Sequence, residues 1–394
     1  MNKLNIIETV GILFLLCFPS VVYVSLGSFS YGLFFVSLLF LVRFFKELVF
    51  IDKKILTLAF FLLCLGLYST LLIIDRDAIS KPIISAIILV LIIIIFSVLV
   101  DRVLITNRTD FNRLVKNIYH IFLVIGFLGV FNLTAFGAYL DLNKPVFPFA
   151  EPSHFALAYF PFSLLYMLKE KSNAFLVLPI TLIFGISFPN LTFVIIFFIQ
   201  LLILAPLRYL FFSFTLVLCI SLLIPFLEFI DFDYFTSRII FDPSNMNISN
   251  LVYLKGWEAA YIALSDSFFL GMGFQNMGFE RTGYYSDLLF LIYKGELNRY
   301  DGSFLASKII VEFGFLGVLF SIFVTWQSLK SYLFLRATKF CEGDLVSIIY
   351  AVVTLAVFVE LFFRGISYFS PNFIVFLVLV AKNSIPFRNK LNAS

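Results

Sequence analysis

Long apolar stretches broken by short polar connections dominate this chain. A run of about 20 apolar residues, or ~17 at the short end, spans the ~30 Å hydrocarbon core of a bilayer as a helix. Twelve runs approach that length: 6–25, 30–45, 55–74, 82–100, 118–137, 153–168, 173–188, 191–206, 209–230, 304–326, 345–363 and 367–381. Only Phe188-Pro189-Asn190 separates the seventh run from the eighth, so eleven spans is the alternative count. The pattern therefore predicts an all-α polytopic membrane protein. The first run lacks a clear small-residue cleavage site and reads as a retained span rather than a signal peptide.

One connection breaks the rhythm. Residues 231–303 form a segment far longer than any other loop, and loops well beyond ~12–15 residues in a compact protein are usually functional or disordered. Trp257, several tyrosines and the apolar stretch from Leu251 to Leu264 argue for order. Ser249 or Asn250 is the expected cap of a helix there, lying at the membrane surface. The organisation is thus nine spans over 1–230, the large loop 231–303, and three spans with a tail over 304–394.

Composition agrees with the pattern. Of the 394 residues 61% are hydrophobic and 13% charged, against roughly 45–50% and 25% in soluble domains. The net charge of +4 is too small to suggest nucleic-acid binding. Cation placement is more informative: with the N-terminus inside, the inner segments hold 18 Lys and Arg and the outer ones 10, which favours both termini in the cytoplasm. Six of the outer cations fall in the large loop or in the first turn after it, where they would attract anions. The four cysteines (Cys17, Cys64, Cys219, Cys341) have no metal-ligand spacing.

Charge near a bilayer core costs about 2.5–3.5 kcal/mol on insertion scales, so each such residue needs a reason. Asp301, Lys308 and Glu312 fall on one helix face, with Glu312 about 16 Å further in than Asp301 if the helix is continuous. They read either as a helix-anchoring ion pair or as a polar wall descending from the large loop. Glu360 and Arg364 are four apart at the end of the eleventh run. They suit an i,i+4 salt bridge, or an anion site in which Glu360 orients Arg364 and Gly365 admits a ligand to the backbone. Glu151-Pro152-Ser153-His154 opens the sixth run, with Glu151 either a helix-capping acid or, with His154, a base and its partner. Asp231-Phe-Asp233 has a metal-diphosphate pattern without supporting ligands. Gly271-Met-Gly273 lacks the context of a nucleotide fold, and His120 reads as structural.

Four stretches together carry a resemblance: Glu151-Pro-Ser-His; Trp257 with Gly271-Met-Gly273; Arg299-Tyr-Asp301-Gly-Ser-Phe leading to Lys308 and Glu312-Phe-Gly314; and Arg364-Gly365 followed by Tyr368-Phe369. In their order, and in topology, the chain resembles Wzy-type O-antigen polymerases, relatives of the O-antigen ligases among GT-C-like membrane glycosyltransferases. The resemblance implies an inverting, metal-independent enzyme of lipopolysaccharide biosynthesis, without cofactor, in the bacterial inner membrane with its site facing the periplasm. It implies a growing glycan on undecaprenyl diphosphate as donor and a lipid-linked repeat unit as acceptor. A chain-length-regulating membrane protein is the implied partner. Arg238, Arg281, Arg299 and Arg364 are then the diphosphate-binding candidates, because guanidinium groups meet phosphate oxygens bidentately. Glu151, His154 and Asp301 are the candidates for the base. Lys308, Glu312, Glu360, Tyr368 and Trp257 would support them. The ligases use a histidine late in the chain, which this sequence lacks. An O-antigen ligase or a lipid-linked oligosaccharide flippase are the alternatives.

Overall fold

The computed structural model describes residues 6–48, 51–71, 80–105, 107–140, 142, 145–204, 247–295, 297–337 and 344–382. All regular structure among them is helical apart from one isolated bridge, Val146 to Phe149. The helices are α1 (Ile6–Leu26), α2 (Phe29–Phe44), α3 (Lys53–Leu71), α4 (Ser80–Ile105), α5 (Arg108–Val130), α6 (Pro152–Lys169), α7 (Ala174–Ser187) and α8 (Leu191–Leu204). After the undescribed stretch come α9 (Ile248–Asp266), α10 (Tyr284–Tyr293), α11 (Leu305–Phe313), α12 (Phe315–Ala337), α13 (Leu345–Phe362) and α14 (Pro371–Ala381).

Six of these helices, α1, α3, α4, α5, α12 and α13, are long and apolar enough to cross a membrane. Four shorter apolar ones, α2, α7, α8 and α14, pack among them. This is the make-up of a helical multi-pass membrane protein. The ninth run, 209–230, lies outside the described residues.

Burial separates centre from rim. The most apolar window of α13 is 78% buried, against 22% for those of α1 and α3. On α12, Phe315, Leu319, Ile322, Trp326, Leu329 and Leu333 recur every three or four residues and are exposed. Such a strip faces lipid rather than core. At one end of the bundle Arg102 donates to Glu47 through Nε at 2.8 Å, Lys382 pairs with Asp101, and Arg336 donates to the Leu202 carbonyl at 2.8 Å. The Glu47 carboxyl, hydrogen-bonded by Arg102, is held below the usual range. The starts of α4, α6 and α14 and the ends of α1 and α13 lie at the other end, here called the mouth.

Proline 161 sits inside α6 and has no N–H to give the Leu157 carbonyl one turn back. Asn372 at the start of α14 fills that gap, its Nδ2 donating to Leu157 O at 3.1 Å and to Glu360 Oε1 at 2.8 Å. One amide thereby ties α6, α13 and α14 together.

Several expected boundaries move. The fifth span begins at Arg108 rather than 118, because Asn107 caps α5 by accepting from Asp110 N at 2.8 Å, and Arg108, Arg113 and Lys116 ride on its first turns. The helix after the undescribed stretch is capped by Asn247, whose side chain accepts from Ser249 N, and not by Ser249 or Asn250. That helix, α9, buries nine residues, among them Leu251, Ala259 and Ala263, with α11 as its chief neighbour. The last span starts at Pro371, at the first helical position, rather than at 367.

The largest correction concerns the tenth span. It is two helices, α11 and α12, broken at Gly314 with φ +57°. A side chain at Gly314 would collide with the Phe269 carbonyl, where the 267–273 loop crosses the break. Met272 N and Gly273 N donate to the Val311 and Glu312 carbonyls at 2.8 and 2.9 Å, so this loop satisfies the end of α11. Asp301 precedes α11 in a turn, so it shares no continuous helix with Lys308 and Glu312.

Candidate functional site

The mouth gathers residues that are far apart in the chain. At the start of α6, Glu151 occupies the N-cap position with extended backbone, but its side chain makes no capping bond. Its carboxylate turns outward instead. Oε2 accepts from Arg364 Nη2 at 2.6 Å and from Ser153 Oγ at 3.0 Å. Burial opposes the charge of Glu151, yet Arg364, His154 and Ser153 outweigh it and hold the carboxyl down at about 2. Glu151 is thus a permanent anion and a weak base near neutral pH.

Arg364 follows the end of α13, its N–H donating to Val359 O at 3.2 Å. Its Nε is buried and has no hydrogen-bond partner among the described residues. The expected Glu360–Arg364 pair does not form. Glu360 is fully buried and accepts from Ser370 Oγ at 2.6 Å and Asn372 Nδ2 at 2.8 Å. Glu151, from across the bundle, therefore orients Arg364 in place of Glu360. Gly365 also differs from expectation. Its N–H donates to Ser303 O, and a Cβ there would lie 2.7 Å from Leu305 N. Neighbouring chain, not open space for a ligand, occupies that approach.

A second cation lies on α11. Lys308 is 2% exposed; its Nζ donates to Tyr300 O at 2.7 Å and stands 3.8 Å from Asp301 Oδ1 and 3.7 Å from Glu312 Oε1. Two carboxylates beside one ammonium are much closer than the ~16 Å of a continuous helix. Tyr368 donates to Glu312 Oε2 at 2.8 Å and offers its ring to Lys308 at 5.8 Å. Glu312 is as buried as Lys308, while the Asp301 side chain is 71% exposed. Of the two carboxylates beside Lys308, Asp301 is the one open to a bound hydroxyl.

His154 does not lie at the surface. It is buried beneath Phe29 and Tyr23, with ring centroids 5.0 and 6.0 Å away, and its Nδ1 has no partner. It lines a cavity of about 30 Å³ together with Glu360, Ser370 and Asn372. That volume is water-sized. His154 thus faces inward, behind Glu151.

The other arginines lie elsewhere. Arg281 pairs with Asp266 at 2.9 Å on an exposed surface. Arg299 donates from Nε to Gly278 O at 2.7 Å, and Gly278 N in turn donates to the buried Glu280, whose carboxyl burial pushes up. Arg238 and the Asp231-Asp233 pair lie outside the described residues. Trp257 packs on Phe304 with centroids 5.0 Å apart, where it fixes the approach to α11. No group of three His, Cys, Asp or Glu among the described residues could hold a metal ion.

Two mouth residues escaped the sequence reading. Tyr23, in the last turns of α1, lies in the electrostatic field of Glu151, Asp301 and Arg364. Lys81, in the first turn of α4, places its ammonium 5.1 Å from the Tyr300 ring centre and feels Lys308, Glu312 and Asp301. Both stand at the mouth-side ends of apolar runs, a signal available from topology alone. No family model matches the chain, and neither a curated protein nor a solved structure matches it.

Proposed function

We propose that this chain is a membrane glycosyltransferase of the O-antigen polymerase type. It transfers a growing glycan from undecaprenyl diphosphate to a lipid-linked repeat unit at the periplasmic face. The observation that carries this reading is the convergence of Arg364, Lys308 and Lys81 with the exposed carboxylate of Asp301 at one end of an apolar bundle.

The chemistry suits such a site. The acceptor hydroxyl oxygen bonds to the anomeric carbon of the donor sugar, the bond from that carbon to the diphosphate oxygen breaks, and undecaprenyl diphosphate departs. Diphosphate leaves without strong acid help if cations meet its growing charge, and donors fixed in a poorly solvated site do this best. Arg364, braced by Glu151 and a quarter exposed, takes that role. Asp301 receives the hydroxyl proton. Glu151, pinned to Arg364 and weakly basic, positions the arginine instead, and His154 backs Glu151 from below.

The test uses purified protein, lipid-linked oligosaccharide and no membrane gradient. Extension by whole repeat units is expected, with loss of at least about a hundredfold in Arg364→Ala, the scale of a removed transition-state donor. Unchanged extension by Arg364→Ala would overturn the site. Transfer to lipid A–core alone would indicate a ligase. Movement across a bilayer without extension would indicate a flippase.

A further inference from the structure

A cleft of about 630 Å³ opens between the end of α1, the start of α2 and the first half of α4. Leu26, Tyr31, Phe35, Ile84, Ile87 and Ile88 line it. Five of these six are about half exposed or more, from Phe35 at 49% to Leu26 at 61%. An open, almost wholly apolar cleft on a membrane bundle suits a hydrocarbon chain better than a water-soluble ligand.

The rim of this cleft is charged. Lys81 precedes Ile84 by three residues and Ile88 by seven, so all three share one face of α4. The Lys81 ammonium has no carboxylate within salt-bridge distance among the described residues, and it rests against Tyr300 beside Lys308 and Asp301. On the α1 side Tyr23 stacks on Phe29 at 4.3 Å and lies edge-on to His154 at 6.0 Å, three residues from Glu151 in the chain. An apolar slot therefore rises into an unpaired cation, and the cation borders the proposed reaction site. That polarity matches a lipid with an anionic head.

We infer that the α2–α4 cleft seats the first isoprene units of a polyprenyl diphosphate, and that Lys81 meets the diphosphate as it passes from the bilayer to Lys308 and Arg364. Ile84 to Ile88 covers only ~6 Å of helix, so the remainder of the chain lies in the surrounding lipid, to which the cleft is open. This inference rests on the proposed transferase reading and adds the side on which its substrate enters.

The test is photolabelling of the whole protein in lipid nanodiscs with a farnesyl diphosphate bearing a photoreactive tail, mapped by peptide mass spectrometry. Labels are expected within 26–35 and 84–88. Lys81→Gln should cut labelling by the diphosphate about tenfold, the size of one lost charge-assisted contact. It should leave labelling by the matching photoreactive farnesol unchanged. Ile87→Trp should block both probes, with Ile87→Leu as the control that keeps the cleft. Excess inorganic diphosphate should compete only weakly, because a free anion gains nothing from the cleft. Labels confined to other helices, or a Lys81→Gln protein labelled as well as the unaltered one, would overturn the inference. Labels elsewhere with extension intact would remove the cleft and keep the polymerase. Labels in the cleft with no extension would keep the lipid site and remove the polymerase.

Discussion

Arg364 Nη2 and Glu151 Oε2 stand 2.6 Å apart although 213 residues separate them in the chain. The pair joins the end of α13 to the start of α6 and holds the arginine at the mouth, where its side chain stays a quarter exposed. Glu151→Gln keeps the shape but removes the charge that braces the guanidinium, so glycan extension should fall about tenfold while the protein still inserts. The acid profile follows from the same contact. Because the folded-state value of Glu151 lies at about 2, below the ordinary 4.5, its stabilising charge is fully present above 4.5 and is lost as pH falls toward 2. Thermal melts in detergent should therefore show a steeper acid decline for the unaltered protein than for Glu151→Gln across that window. Parallel declines would disprove the assignment.

Lys308 and Glu312 are buried as an ion pair on α11. Removing one partner strands the other charge, so Lys308→Met alone should cost about 3–5 kcal/mol. The double variant Lys308→Met with Glu312→Leu should recover most of that loss, since apolar replacements of buried pairs are often neutral. Activity should stay lost in both. Recovered activity in the double variant would show that the pair serves only the fold.

Glu360 separates a structural from a chemical role at the cavity beside His154. Glu360→Gln keeps an acceptor for Ser370 and Asn372 and should melt within about 1 kcal/mol of the unaltered protein. Glu360→Leu leaves Ser370 Oγ without an acceptor and Asn372 with only the Leu157 carbonyl, and should cost about 1–3 kcal/mol. Equal losses in Glu360→Gln and Glu360→Leu would mean that the carboxyl group itself, and not a neutral acceptor oxygen, holds this corner.

The arginine candidates should not behave alike. Arg281 makes an exposed pair with Asp266, so Arg281→Ala should change stability by less than about 0.5 kcal/mol and leave extension near normal. Arg299→Ala loses the bond to Gly278 O and should lower the melting temperature before it affects transfer. A complete block in Arg281→Ala, measured as missing repeat-unit ladders, would return that residue to the site.

The helical class of this protein was legible in the pattern alone, because about twenty uninterrupted apolar residues have few outcomes other than a spanning helix. The break between α7 and α8 was only half legible: Phe188-Pro189-Asn190 marked it but left eleven spans open, and the structure ends α7 at Ser187 and starts α8 at Leu191. Periodicity could not show that the run from 304 to 326 breaks. That depends on the 267–273 loop crossing at Gly314, a contact between segments 40 or more residues apart. The site divides in the same way. The site residues announced themselves by charge: Lys308, Glu312 and Arg364 stand where bare charge is expensive, with Asp301 and Glu151 beside them. Their partners did not. Local spacing favoured Glu360 for Arg364, whereas packing of α6 against α13 supplied Glu151 and left Glu360 to Ser370 and Asn372. A sequence determines which residues cannot be left unpaired in a membrane. Only the arrangement of the helices decides which partner reaches each of them, because that choice rests on distances the chain order does not contain.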